Sequence, residues 1–156
     1  DERNNLWDLK AFTIAGNPKK TYLPPQRLDE VPSFDFSSLD AAFVRLNASA
    51  WNYEKALSKL QKGSLSAAKK SEINNILKNV DQAMVSDGGL PRRDWFKNMI
   101  YAPGFYTGYG VKTLPGIREG LEQRNWNEVD TYIQEVAKAL DRAAAKINMA
   151  SNILSR

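Results

Sequence analysis

The C-terminal segment, residues 129–154, places the strongest constraint on what this chain can fold into. Its apolar residues recur at alternating steps of four and three, which is the spacing of one face of an α-helix. Ala137, Ala144 and Ala145 flank that face, so a neighbouring helix can approach it closely along its length. The segment therefore predicts a long helix of a helical bundle. The apolar face comprises Val129, Ile133, Val136, Leu140, Ala143, Ile147, Ala150 and Leu154.

Two further segments have the same period. The first begins with Ser37 or Ser38 as the N-cap and stops at Gly63. The second runs from about Ser66 to Ser86, before the pair Gly88-Gly89. Both are predicted to be long helices. Their apolar residues are Leu39, Phe43, Leu46, Ala50, Tyr53, Leu57 and Leu60 in the first, and Ile73, Ile76, Leu77, Val80, Ala83 and Met84 in the second.

The N-terminal part supplies a fourth, shorter helix over residues 6–13, ending at Gly16-Asn17-Pro18. The stretch that follows contains Pro24-Pro25 and Pro32, which favours an extended linker over a helix. We therefore predict an all-α, four-helix-bundle-like fold with three long helices. We predict that residues 1–156 form a single domain, with an N-terminal segment and linker over 1–32 and the bundle over 33–156.

Composition excludes several classes of function. The net charge of +4 comes with basic pairs that lie far apart in sequence, and acidic residues alternate with basic ones, so we expect a mixed solvated surface without nucleic-acid binding. No apolar run approaches the roughly 20 residues that span a bilayer, so this piece is not expected to insert into a membrane. A first residue other than Met and a charged start suggest a fragment of a longer protein.

Catalysis by the chain itself is not expected. It contains no His and no Cys, which are the most common general base, metal ligands and thiol nucleophile. We expect no catalytic residues, no metal site and no cofactor. The carboxylates in the helical segments read as solvated faces, namely Glu54, Glu72, Asp81, Glu128 and Glu135.

The connection from about Asp87 to Gly116 is too long for an ordinary helix–helix loop. Its composition is the opposite of a disordered linker's, because it is rich in aromatic residues and is punctuated by Gly and Pro. Either the aromatics cap one end of the bundle, or the tip from Phe105 to Lys112 meets a partner or another domain's ligand. The aromatic residues are Trp95, Phe96, Tyr101, Phe105, Tyr106 and Tyr109.

Asn47-Ala48-Ser49 is a glycosylation sequon. It fits a lumenal protein, but a three-residue pattern also arises by chance, and both readings stay open.

Several motifs together resemble the C-terminal domain of the glutamate carboxypeptidase and transferrin receptor family. They are the run from Gly89 to Ile117, the triplet Ser33-Phe34-Asp35 before the helix that begins at Ser37 or Ser38, and the alanine-rich last helix. The resemblance implies a type II membrane protein whose lumenal or extracellular part combines a zinc-peptidase-like domain, an apical domain and this helical domain. It also implies that the helical domain pairs with its twin to form a homodimer, and that zinc belongs to the peptidase domain alone.

In peptidase members of this family, the resemblance implies, the long loop reaches toward the active site and a Lys-Tyr pair holds the substrate's terminal glutamate. Tyr109 matches the tyrosine, whereas Gly108 occupies the lysine position and supplies no cation. Lys112 is a hypothetical substitute for the missing lysine, as the cation that would hold the substrate's carboxylate. The resemblance also implies that the transferrin receptor binds its ligand through an Arg-Gly-Asp triplet in this domain. No such triplet is present here, so transferrin binding is not expected. The candidate loop residues beside Tyr109 are Tyr101, Phe105, Tyr106 and Gly108.

Two functions remain open at this level. In the first, the chain is a non-catalytic homodimerisation domain whose loop 101–116 completes the substrate pocket of the peptidase domain. In the second, it is a free-standing helical adaptor that binds a protein partner through a bundle face. An exposed apolar strip would fit both.

Overall fold

The computed structural model describes residues 2–14, 25–60 and 65–155. These residues are mostly helical, with a small two-stranded antiparallel sheet. By its contacts the chain divides into two compact units, Asp1–Ser33 and Phe34–Arg156. Two expectations stay predictions. One is that four helices form a single bundle, and the other is that all residues form a single domain.

The N-terminal unit contains two short helices, α1 (Glu2–Asp8) and α2 (Ala11–Ile14), where one helix was predicted. That prediction was wrong because Lys10 adopts a left-handed backbone conformation with φ of 54°, which interrupts the helix. The Asn4 amide exchanges two hydrogen bonds with the backbone of Leu28, at 2.9 and 3.0 Å. The predicted helix end at residues 16–18 lies outside the described part of the chain, and residues 25–36 are neither helix nor strand.

Helices α3 (Ser37–Ser58) and α6 (Trp126–Leu154) form the most extensive contact between elements. On α3, Ala42, Ser49 and Ala56 are buried at steps of seven residues, so small side chains let α6 approach closely. The predicted long C-terminal helix is confirmed, and its buried face holds most of the predicted residues. The buried residues of α6 are Val129, Ile133, Val136, Ala137, Ala139, Ala143, Ala144, Ala150, Ser151 and Leu154.

Two details of α3 differ from the sequence prediction. Its N-cap is Phe36, not Ser37 or Ser38, and the carboxylate of Asp35 accepts the Ser37 N–H at 2.8 Å. The predicted apolar face also splits, because the large side chains of Phe43 and Leu57 are exposed while small residues face α6. The predicted stop at Gly63 lies outside the described residues.

The third predicted helix is shorter than expected. Helix α4 spans Ala67–Lys78, and Ser66 is its N-cap, whose hydroxyl accepts the Lys69 N–H at 3.3 Å. A 3₁₀ helix follows at Asp81–Met84. The prediction of a continuous helix from about Ser66 to Ser86 was wrong, because the chain turns toward α6 after α4 ends. There the guanidinium of Arg142 donates to the carbonyls of Ala83 and Val85, at 2.9 and 2.8 Å.

The long connection contains regular structure that helical periodicity does not reveal. Strands β1 (Tyr101–Pro103) and β2 (Val111–Thr113) form an antiparallel hairpin, so the fold is not purely helical. Helix α5 (Pro115–Glu122) follows, with Leu114 in a left-handed conformation before it. This end of the chain shares a core of Leu90, Met99, Ala102, Ile117, Val129, Ile133, Val136 and Ala139.

An ion pair between α3 and α6 makes stability depend on pH. The Arg45 guanidinium donates two hydrogen bonds to Asp141, and these bonds hold the pKa of that carboxyl below its ordinary value of 3.8. A hydrogen bond from Lys138 likewise lowers the pKa of Glu135 from 4.5. Because both folded pKa values are depressed, the unfolded chain takes up these protons first as pH falls.

We therefore expect the melting temperature to fall as pH is lowered through about 4.5 and below. Circular-dichroism melts from pH 7 to pH 3 measure this. Asp141→Asn should show a shallower fall, with Asp130→Asn on the same helix as the control. An Asp141→Asn slope equal to that of the wild type would contradict the assignment.

Candidate functional site

The hairpin presents the aromatic tip that the sequence singled out. Its register pairs Tyr101 with Thr113 and Pro103 with Val111. The tip, residues 104–110, is closed by a hydrogen bond from the Gly104 N–H to the Gly110 carbonyl at 2.9 Å. Gly108 has a φ of 66°, a conformation that favours glycine. The tip is therefore shaped by its own backbone.

The aromatic side chains of this segment differ in exposure. Tyr109 is fully exposed, and Tyr106 and Tyr101 are largely exposed. Phe105 is more covered, and its ring meets that of Tyr106 edge to face, with 4.9 Å between centroids. Tyr109 is thus the predicted site residue most available to another molecule.

A buried ion pair fixes the base of the tip. The Arg93 and Glu119 side chains are only 4% and 1% exposed, and one guanidinium nitrogen donates to both carboxylate oxygens at 2.7 Å. The other terminal nitrogen of Arg93 donates to the carbonyl of Pro103, and the Phe105 N–H donates to Glu119 at 2.8 Å. The pair therefore joins the start of the tip, at Pro103 and Phe105, to α5.

Phe105 is also close to two guanidinium groups. The centre of its ring is 5.4 Å from the guanidinium carbon of Arg92 and 5.7 Å from that of Arg93, within the range of cation–π attraction. Arg92 in turn forms a two-point ion pair with Glu128 of α6, at 2.5 and 3.1 Å. Phe105 thereby ties the tip to the body of the molecule.

A hydrogen bond from α6 supports the start of the loop. The Tyr132 hydroxyl on α6 donates to the carbonyl of Gly89 at 2.7 Å. Burial, and then the charges of Glu128 and Glu135, raise the pKa of Tyr132 above 10.0. The hydroxyl therefore keeps its proton as a donor throughout the neutral range.

Lys112 lies on β2, opposite Ala102, and its ammonium group forms an ion pair with Glu122 of α5. Its side chain is largely covered, at 15% exposure. A substrate carboxylate would have to displace Glu122 to reach this cation. The role of Lys112 as a substitute cation stays a hypothesis, as do the roles of Tyr101, Phe105, Tyr106, Gly108 and Tyr109.

Sequence reasoning did not select Arg93 or Glu119. In sequence Arg93 is one half of the basic pair Arg92-Arg93, and its ion-pair partner Glu119 lies 26 residues further along the chain. The sequence carried one local sign of burial, because Arg92 and Arg93 stand inside an aromatic, proline-rich stretch where a solvated surface is less expected.

A second candidate surface is the side of α3 that points away from α6. Val44 and Trp51 are 65% and 58% exposed and stand seven residues apart, so they share one face of the helix. Asn47, the acceptor residue of the sequon, is exposed between them, whereas Ser49 is buried and donates to the carbonyl of Leu46 at 2.7 Å. The face is therefore partly apolar, and its side chains are exposed within the part of the chain that the structure describes.

Neither a metal cluster nor a membrane span is found among residues 2–14, 25–60 and 65–155. No group of three or more His, Cys, Asp or Glu is placed there to hold a metal ion. No helix within those ranges has the length and apolar character needed to cross a bilayer.

Comparison with known proteins relates most of the chain to one family. Residues 34–148 match the family described as "Transferrin receptor-like dimerisation domain". A probable glutamate carboxypeptidase of Arthroderma benhamiae is 33% identical over 113 residues, which are 72% of this chain and 16% of that protein. A probable glutamate carboxypeptidase of Arabidopsis thaliana is 31% identical over 85 residues, or 50% of this chain and 12% of that protein.

One relative carries a different description. An inactive zinc metalloprotease of Schizosaccharomyces pombe is 25% identical over 167 residues, which are 93% of this chain and 21% of that protein. The chain thus spans about a fifth or less of the length of these three relatives.

Proposed function

Because the chain belongs to the transferrin receptor-like dimerisation domain family, we propose that it pairs with a second copy of itself. It acts as the non-catalytic homodimerisation domain of a glutamate carboxypeptidase-like protein. The observation that carries this proposal is the apolar side of α3 on which Val44 and Trp51 are exposed among the described residues.

Helix α3 has two opposite sides with different chemistry. One side presents Ala42, Ser49 and Ala56 to the interior, and the other presents Val44 and Trp51 to solvent. A helix at the surface of a monomer normally has a polar outer side. An exposed tryptophan near a valine, together with the exposed ring of Phe43, instead fits a surface that another protein covers.

Sedimentation of the purified chain over a range of concentrations tests the pairing. We expect a dimer that dissociates on dilution, and we expect Trp51→Ser to raise its dissociation constant at least tenfold, because large aromatic side chains dominate interface energies. Trp95→Ser is the matched control, since Trp95 is similarly exposed but lies in the loop. A wild-type chain that is monomeric at every concentration would contradict the proposal, and would favour an adaptor that binds a different protein.

The hairpin has a second part in this proposal. In the parent protein, loop 101–116 completes the substrate pocket of the adjoining peptidase domain and brings Tyr109 to the substrate. Support comes from the full exposure of Tyr109 and from the buried pair of Arg93 and Glu119 beneath the tip. Two relatives of this chain are described as probable glutamate carboxypeptidases.

The remaining parts of the parent protein are proposed on the family resemblance alone. They are a zinc-peptidase-like domain that holds the metal, an apical domain, and a single membrane-spanning segment of type II orientation. This domain would then lie on the lumenal or extracellular side.

Substitution in the parent protein tests the role of the loop. Tyr109→Ala should raise the KM for a peptide substrate about tenfold or more, because one substrate contact is lost. If Lys112 is the substitute cation, Lys112→Ala should also weaken the preference for an acidic C-terminal residue, whereas Lys70→Ala on α4 should not. Unchanged preference in Lys112→Ala would rule out that role, and unchanged KM in Tyr109→Ala would rule out substrate contact by the tip.

A further inference from the structure

We infer that two copies of this chain pair through antiparallel α3 helices, with the twofold axis passing between residues 47 and 48. This inference rests on the proposed homodimer and adds to it the surface, the direction and the register of the contact. It is carried by the order of exposed side chains along the outer side of α3.

Five exposed residues form one stripe along the helix. They lie at steps of four, three, four and four residues, which keeps them on one side of an α-helix. The stripe reads acidic, apolar, amide, aromatic and basic from its N-terminal to its C-terminal end. The residues are Asp40, Val44, Asn47, Trp51 and Lys55.

This order is complementary to itself when one copy is reversed. In a twofold antiparallel pair, residues at equal distances on either side of the axis lie opposite each other. With the axis between residues 47 and 48, Asp40 meets Lys55 of the other copy, and Val44 packs against Trp51. Because a twofold interface repeats every contact, two ion pairs and two apolar contacts form.

The charges at the two ends of the stripe favour this direction. Within residues 2–14, 25–60 and 65–155, neither Asp40 nor Lys55 takes part in an ion pair of the kind that joins Arg45 to Asp141. A parallel pairing in register would instead place Asp40 beside Asp40 and Lys55 beside Lys55, which is unfavourable. Antiparallel pairing satisfies both charges.

Small and polar residues at the centre suit a close crossing. Asn47 and Ala48 are exposed at the axis, and neither side chain is large enough to hold the helices far apart. Two Asn47 amides near the axis have both donors and acceptors to offer each other. A single asparagine in an apolar contact between helices is a known means of fixing register.

Cysteine cross-linking tests the position of the axis directly, because the natural chain contains no cysteine. Asn47→Cys should form a disulfide-linked dimer under mild oxidation, since each residue 47 lies next to the axis and the two are offset by only about 1.5 Å along the helices. Ser58→Cys is the matched control, since Ser58 is also exposed on the outer side of α3. In this register residue 58 lies opposite residue 37, so the two thiols of the Ser58→Cys variant are about 30 Å apart and should not cross-link.

Charge reversal tests direction and register independently. We expect Asp40→Lys alone, and Lys55→Asp alone, each to raise the dissociation constant about tenfold at low salt. The double variant Asp40→Lys/Lys55→Asp should return it to within about threefold of the wild type. Lys70→Asp on α4 controls for the change in net charge, and should leave the dissociation constant within about threefold.

The outcomes separate this inference from the proposed function. If the wild type dimerises but Asn47→Cys cross-links no faster than Ser58→Cys, or if the double reversal restores nothing, the register is overturned and homodimerisation stands. A wild-type chain that stays monomeric overturns both. Fast cross-linking of Asn47→Cys together with rescue by the double reversal supports the antiparallel pairing.

Discussion

Replacing Glu119 by leucine is expected to lower the free energy of unfolding by about 3–5 kcal/mol, because a buried charge left without its partner is strongly destabilising. Arg93 would keep its charge at a site that is 4% exposed, and the Phe105 N–H would lose its acceptor. Urea denaturation followed by circular dichroism measures the change.

Two companion variants make this prediction specific. Glu122→Leu removes the partner of Lys112 from the same helix, but Glu122 is half exposed, so we expect a loss below about 1 kcal/mol. The double variant Arg93→Met/Glu119→Leu should recover part of the stability, because neither charge then remains buried. A Glu119→Leu variant no less stable than Glu122→Leu would show that the buried pair does not support the fold.

Gly89→Ala is expected to cost about 3 kcal/mol, of which about 1–2 kcal/mol is the strain of an L-residue in a left-handed conformation. Gly89 has a φ of 64°. A β-carbon there would also overlap the backbone carbonyl of Asp94, so the turn itself must shift. Such a shift would move the Gly89 carbonyl that receives the Tyr132 hydroxyl.

The neighbouring glycine provides a matched control for this substitution. A β-carbon at Gly88 meets nothing within 4 Å. Gly88→Ala should therefore change stability by less than about 0.5 kcal/mol, as surface substitutions commonly do. Thermal melts of both variants compare them, and similar melting temperatures would mean that the turn at Gly89 adapts without cost.

Periodicity predicted the parts of the fold whose burial follows from the residues of one element. Helix α6 was predictable because its apolar face is continuous along nearly the whole helix and lies toward the core almost throughout. Helix α3 was predictable as a helix, but its orientation was not. The rule that large apolar residues face inward fails there, since the inner side is made of Ala42, Ser49 and Ala56.

The rest depended on contacts between distant residues, which leave no local pattern. The path of the chain after α4 depends on the carbonyls of Ala83 and Val85, which Arg142 binds from 59 and 57 residues away. The hairpin strands have three residues each, too few for alternation to be recognised.

The candidate site was predictable to a similar degree. The aromatic composition of the loop and the family resemblance selected Tyr109, and the structure exposes it fully. The supporting pair could not be selected, because Arg93 and Glu119 look like surface charges until the fold buries them together. The loop could therefore be selected from its composition and the resemblance, whereas the buried pair that supports it requires the tertiary fold.

Helix α6 has a consequence for the spacing of the two hairpins in a dimer. Its 29 residues span about 43 Å. Near its first turns it holds the loop through Glu128 and Tyr132, and along its length it packs against α3. In the proposed dimer, two copies joined through α3 would therefore hold their Tyr109 side chains at a set separation, and the domain would act as a rigid spacer between the two hairpins.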